Sequence, residues 1–111
     1  MNIIASNNEI SKIFSNGKFI RTPLINLIVY YNEKQHENYN RVAFIASKKN
    51  GNAVWRNKAK RRMRAVCRDT LKLDLNLEVL FIANRKTALC DYSQLKKNVT
   101  EELMRYKHEP N

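Results

Sequence analysis

Acidic side chains are scarce in this chain and missing altogether from one long stretch. Its 111 residues include 10 Asp and Glu against 21 Lys and Arg, a formal charge of +11 and a pI near 10.0. Between Glu37 and Asp69 there is no carboxylate side chain at all, only cations. Such an imbalance predicts salt-sensitive attraction to phosphates or to anionic surfaces. A membrane-spanning role is not expected, because no apolar run approaches the roughly 20 residues that a bilayer requires. The N-terminal stretch MNIIASNNE lacks the basic region and apolar core of a secretory signal, so a cytoplasmic protein is expected.

Metal- and acid-base-bearing residues are equally thin. The two cysteines, Cys67 and Cys90, form no CxxC pair, and the two histidines, His36 and His108, stand far from both. Zinc ligands normally arrive as closely spaced pairs, so no protein-borne metal is expected and the cysteines read as apolar fillers. No Ser-His-Asp pattern or carboxylate pair stands out. The chain is not expected to carry catalytic residues of its own.

What is present fits one small domain, residues 1–111, with an ordinary 43% of hydrophobic residues. Ser6-Asn7-Asn8-Glu9 has the form of a capping box. Ile10, Ile13 and Phe14 follow it at helical spacing, with Gly17 as a helix-ending residue. Phe14 fits either core packing or a nucleotide-stacking platform. After the break at Pro23, residues 24–31 are β-branched and aromatic, as a buried strand requires. Residues 32–40 are polar and read as a loop. RVAFIAS, residues 41–47, is a second clear strand ending in the turn-like KKNG. A further strand is expected either near residues 19–21 or from a break near Asn26. LEVLFIA, residues 77–83, is another strand, Asn84-Arg85-Lys86-Thr87 a polar turn, and a last helix starts at Asp91 or Ser93 with Leu95, Val99, Leu103 and Tyr106 on one face. One helix, two or three strands, a basic helix, a strand and a helix make an α+β domain with a single sheet.

The basic helix holds the strongest functional signal. Seven of the ten cations between Glu37 and Asp69 fall within residues 56–68, five of them Arg and two Lys. At about 100° per residue, Trp55, Ala59, Met63, Val66 and Thr70 share one side. Arg64, Asn57, Arg68 and Arg61 share the other, with Lys60 beside them. Like charges at i,i+4 destabilise an isolated helix by a few tenths of a kcal/mol each, so packing and a bound anion must offset them. Asn50 or Asn52 is placed to cap its start, aiming amides at an anion. A solvated face would mix signs; this one is single-signed and rich in Arg, which grips phosphate oxygens bidentately. Nucleic acid is therefore the expected partner. Arg56-Asn57 could read DNA bases from a major groove, but a strand precedes the helix where a helix-turn-helix needs a companion helix. A sheet with aromatics such as Tyr30, Tyr31 and Phe44, with Phe14 beside it, fits single-stranded or structured RNA better. Each of these aromatics is also a natural core residue.

The stretch RVAFIASKKNGNAVWRNKAKRRMR, residues 41–64, resembles the Arg-Asn-Arg signature of the bacterial ribonuclease P protein subunit. The likeness runs from residue 8 to the last helix. Ala43 stands where that pattern commonly has Gly, and Ile10 where it has an aromatic. The resemblance implies an α-β-β-β-α-β-α sandwich of the type found in the second domain of a small-subunit ribosomal protein, with a left-handed β-α-β crossover around the basic helix. It also implies a monomeric protein in a 1:1 complex with a catalytic RNA, assisting endonucleolytic removal of the 5′ leader from precursor tRNA, with no DNA or membrane partner. In such an enzyme the RNA holds the Mg2+ ions. By position, Lys48, Lys49, Arg56, Asn57, Lys60, Arg61, Arg64 and Arg68 would contact the catalytic RNA. Lys12, Phe14, Phe44 and Tyr30 would line the leader cleft. The competing readings are a structured-RNA-binding protein of ribosomal or chaperone type and an autonomous nuclease.

Overall fold

The β-branched runs of the chain all enter one sheet, and their pairing sets the position of everything else. The computed structural model describes residues 2–4, 6–31, 40–71 and 77–108, with the side chains of Asn2 and of residues 106–108 left aside. Its elements are β1 (Asn2–Ile3), α1 (Asn7–Asn16), β2 (Lys18–Arg21), β3 (Ile25–Tyr31), β4 (Arg41–Ile45), α2 (Ala53–Thr70), β5 (Leu77–Ala83) and α3 (Tyr92–His108), with 3-10 turns at Lys48–Asn50 and Arg85–Ala88. The polar stretch at residues 32–39 and the side chain of Tyr106 lie outside the described residues.

The strand order is β1-β4-β5-β3-β2. β3 runs antiparallel to β2 and β5, while β4 is parallel to both β5 and β1. The parallel neighbours β4 and β5 are joined through α2, where the resemblance places its crossover. The third expected strand is β2, at Lys18–Arg21. β1 was not anticipated, because two residues hold no periodicity to read; it pairs Ile3 with Val42 at the sheet edge.

Strand alternation sorts the core into two layers. Leu27, Val29, Val42, Val79 and Phe81 face α2 and α3, meeting Ala59, Met63, Val66, Cys67, Leu95, Val99 and Leu103. Ile28, Ala43 and Leu80 face the other way and meet Ile13 of α1 together with Ile4. Central β5 is covered on both sides, which explains its nearly unbroken apolar run.

α1 is held by few residues. Ser6 accepts from the Glu9 amide at 3.4 Å, as a cap should. The return bond expected from Glu9 gives way to an ion pair with Arg41, which also reaches Glu78 at 3.0 Å. Within α1 only Ile13 is fully buried, worth roughly 1.5–3 kcal/mol relative to exposure. Gly17 is extended (φ −79°, ψ 165°), not left-handed. It is glycine because a Cβ there would lie 2.6 Å from Ile28 Cγ2 and 2.8 Å from the Ile13 carbonyl oxygen.

Candidate nucleic-acid interface

α2 starts where Asn52 accepts from the Trp55 amide at 2.9 Å, so Asn52 and not Asn50 is the cap. The Trp55 ring lies against Gly51, where a Cβ would come within 2.7 Å of it. Its Nε1 donates to the Arg85 carbonyl at 3.4 Å, tying the helix start to the turn after β5. Ala59, Met63, Val66 and Cys67 form the buried stripe. Trp55 is half-buried, as is Thr70, whose hydroxyl donates to the Val66 carbonyl at 2.6 Å.

With that stripe on the sheet, Asn57, Lys58, Arg61, Arg64 and Arg68 are exposed on the far side, and Arg56 and Lys60 are half-buried beside them. Lys48 and Lys49 are exposed on the turn leading into the helix. Among the described residues the only carboxylate paired with an α2 cation is Asp69, 3.9 Å from an Arg68 side chain that remains 76% exposed. Asp69 is also engaged from behind, by the Tyr92 hydroxyl at 2.6 Å. Burial and that hydrogen bond push the Tyr92 hydroxyl up to about 12. Among the described residues, then, the guanidinium face is open and no carboxylate other than Asp69 neutralises it. Arg62 is the exception among the helix arginines: it turns inward and donates to the carbonyls of Thr87, at 3.2 Å, and Cys90.

Two exposed cations, Arg85 and Lys86, lie on the turn that Trp55 touches and so belong with the basic end of α2. Neither is among the residues that the resemblance assigns to the catalytic RNA. Two consecutive cations, one residue beyond a strand, were the available signal.

The four residues assigned to a leader cleft do not share one surface. Lys12 and Phe14 are exposed on α1, and Tyr30 is half-buried in the layer beneath that helix. Phe44 belongs to the opposite layer, its ring 5.5 Å from Phe81 and 5.9 Å from the Arg64 guanidinium carbon. The sheet itself separates it from the other three, because adjacent positions of β4 point to opposite faces. The α1 face gains an aromatic that went unassigned. Phe19 sits opposite Ile28, is 50% exposed, and carries the Arg21 guanidinium 6.0 Å from its ring centre. An exposed aromatic on so short a strand left no pattern to mark it as functional.

The described residues hold no group of three or more His, Cys, Asp or Glu that could bind a metal. No described helix is long and apolar enough to cross a membrane. Burial pushes the Cys67 thiol up to about 11, the behaviour of a filler and not of a nucleophile.

A protein-family model described as ribonuclease P matches residues 2–107. The ribonuclease P protein component of Mesoplasma florum is 30% identical over 106 residues, covering 94% of this chain and 94% of that protein. That of Streptococcus agalactiae is 33% identical over 100 residues, covering 90% and 89%. Among solved structures, the RNase P protein of Staphylococcus aureus aligns with a TM-score of 0.77 at 23% identity, over 95% of this chain and 94% of that one. The RNase P protein of Thermotoga maritima aligns with a TM-score of 0.76 at 20% identity, over 92% and 94%. At those identities the structural likeness is one of fold; the sequence match, spanning nearly every element described above, carries the rest. The chain belongs to the ribonuclease P protein family.

Proposed function

We propose that this protein works as the accessory subunit of a ribonuclease P ribonucleoprotein, seating the α2 face on the catalytic RNA and holding the 5′ leader of precursor tRNA on the α1 face. The carrying observation is the open row of Asn57, Arg61, Arg64 and Arg68, which meets no carboxylate among the described residues except Asp69 at 3.9 Å. Lys48, Lys49, Arg56 and Lys60 extend that row, and Arg85 and Lys86 adjoin it. Cations held on a rigid helix act without chemistry of their own: they reduce phosphate repulsion between two RNAs and fix their relative position. On the other face Phe14, Phe19 and Tyr30 offer rings for unpaired bases, and Lys12 and Arg21 offer charge for their phosphates.

In this reading the RNA subunit holds the Mg2+ ions that activate the attacking water, and the residues of this chain bind and orient only. The working unit is one protein with one RNA, in the cytoplasm. The strand before α2 denies it the helix-turn-helix geometry for reading duplex DNA. Addition of the purified chain to the RNA subunit and precursor tRNA at low Mg2+ tests the proposal. Stimulated release of the leader is the expected result. Indifference of the cleavage rate, with RNA binding intact, would leave a structured-RNA-binding protein of ribosomal or chaperone type. Cleavage by the protein alone would make it a nuclease in its own right.

A further inference from the structure

Between the β1–β4 edge and α2 lies a cleft of about 410 Å³, lined by Ile3, Val42, Phe44, Arg64, Cys67, Arg68 and Leu71. It is on the opposite side of the sheet from Phe14 and Phe19. Its floor is apolar: Val42, Cys67 and Leu71 are buried. Its mouth exposes the side chain of Ile3, 62% accessible at the very edge of the sheet. Two arginines of the basic face, Arg64 and Arg68, stand on its rim, and Arg64 leans over the Phe44 ring at 5.9 Å. A solvated arginine row has no need of an apolar recess with an aromatic wall. A recess of this kind lies within the roughly 300–1,000 Å³ of small-molecule sites.

The geometry points to this cleft as a pocket for one unstacked nucleotide of the RNA that α2 binds. Its base would lie against Phe44 and Arg64, and its phosphates would meet Arg64 and Arg68. The composition is matched on both counts. A nucleobase is a flat π-surface that stacks on an aromatic ring or a guanidinium plane. The chain leaving it on either side carries the anions that the rim awaits. An apolar peptide would leave the two rim cations unmatched, and a rim without a ring would serve phosphate alone. The pocket makes the basic face more than an electrostatic surface, since a single extruded base fixes the register of the RNA along the helix.

The inference rests on the basic-face reading, and the experiment separates the two. Binding of the ribonuclease P RNA to wild type, Phe44→Leu, Ile3→Glu and Arg61→Ala is measured as a function of salt, with dimethyl sulfate probing of the RNA in each complex. Phe44→Leu removes the ring but keeps the apolar volume. Ile3→Glu places a carboxylate at the mouth on an exposed residue, so it leaves folding alone. Both are expected to weaken binding roughly 5- to 150-fold, the worth of one base–aromatic stack. Both should also expose one base to methylation that wild type protects, and Phe44→Leu should do so with an unchanged salt slope. Unchanged affinity and footprint in both variants, with Arg61→Ala still weakening binding, would overturn the pocket and keep the basic face. No effect of Arg61→Ala either would overturn both. If vesicles of anionic phospholipid, and not the RNA, distinguish wild type from Phe44→Leu, the occupant is an acyl chain and the proposal is overturned.

Discussion

Arg61 and Arg62 are neighbours in sequence with opposite fates. A step of about 100° around the helix carries Arg61 into solvent and Arg62 against the turn after β5, where its guanidinium closes the carbonyls of Thr87 and Cys90. Replacing Arg62 by alanine leaves those carbonyls without their charged donor and is expected to cost about 1–3 kcal/mol in urea denaturation, with the salt dependence of RNA binding unchanged. Replacing Arg61 or Arg64 by alanine is expected to do the reverse. RNA binding weakens and its salt slope falls by about one per residue, while circular dichroism and the urea midpoint stay as in wild type. Equal loss of both signals in Arg61→Ala would make that face structural. Charge counting along residues 56–68 could not separate these arginines, because the distinction depends on what the fold places opposite each one.

At the scale of elements, α1 depends on a small set of contacts: Ile13 in the core, Gly17 against β3, and Glu9 on Arg41. Arg41 joins the exposed end of that helix to Glu78, a carboxylate with 6% of its side chain accessible in the middle of the sheet. Burial works against the Arg41 charge, but the hydrogen bonds and charges of Glu9 and Glu78 outweigh it and hold the guanidinium above its usual pKa. Arg41→Ala removes that partner from a buried carboxylate and loosens α1 together. Removing one member of a fully buried pair costs about 3–5 kcal/mol. Arg41 keeps 24% of its side chain accessible, so a loss of about 2–3 kcal/mol is expected. Hydrogen exchange should show α1 amides losing protection before those of α2. Uniform loss across both helices would mean that Arg41 supports the whole fold and not this one attachment.

At the scale of the molecule, charge and titration make separate predictions. Five to seven phosphate contacts make the log of RNA affinity fall with the log of salt at a slope of roughly −4 to −6; a filter-binding titration with a slope near zero would remove the electrostatic picture. Toward high pH, two protons are at stake, one on buried Cys67 and one on half-buried Tyr92. Cys67 keeps its proton to about 11 in the fold, against 9.0 ordinarily, and Tyr92 to about 12, against 10.0. Above each ordinary value the unfolded chain has already shed a proton that the folded chain still holds, so stability falls as pH rises. The urea midpoint should stay level near pH 8 and drop from about pH 9 to about pH 12, with a flatter fall between about pH 9 and about pH 11 in Cys67→Ala. An unchanged drop in that variant would assign it to other groups. On the same scale, the order of the helices and of β3, β4 and β5 was legible, the helices from their 3.6-residue period and the strands from their β-branched and aromatic runs, while β2 stayed open between residues 19–21 and a break near Asn26. β1 was not legible, since two residues make no period.

The family of the chain and the single sign of the exposed α2 face were written in the sequence alone. Composition and helical spacing are local properties, and a solvent-facing charge needs no partner in the fold to be recognised. Which arginine turns inward, which carboxylate holds α1, and which side of the sheet each aromatic faces were decided only by the tertiary structure. Those depend on strand register and on long-range contacts between residues far apart in the chain. Phe44 shows the difference: grouped by type with Phe14 and Tyr30, it was carried by the alternation of β4 to the other face, against Arg64.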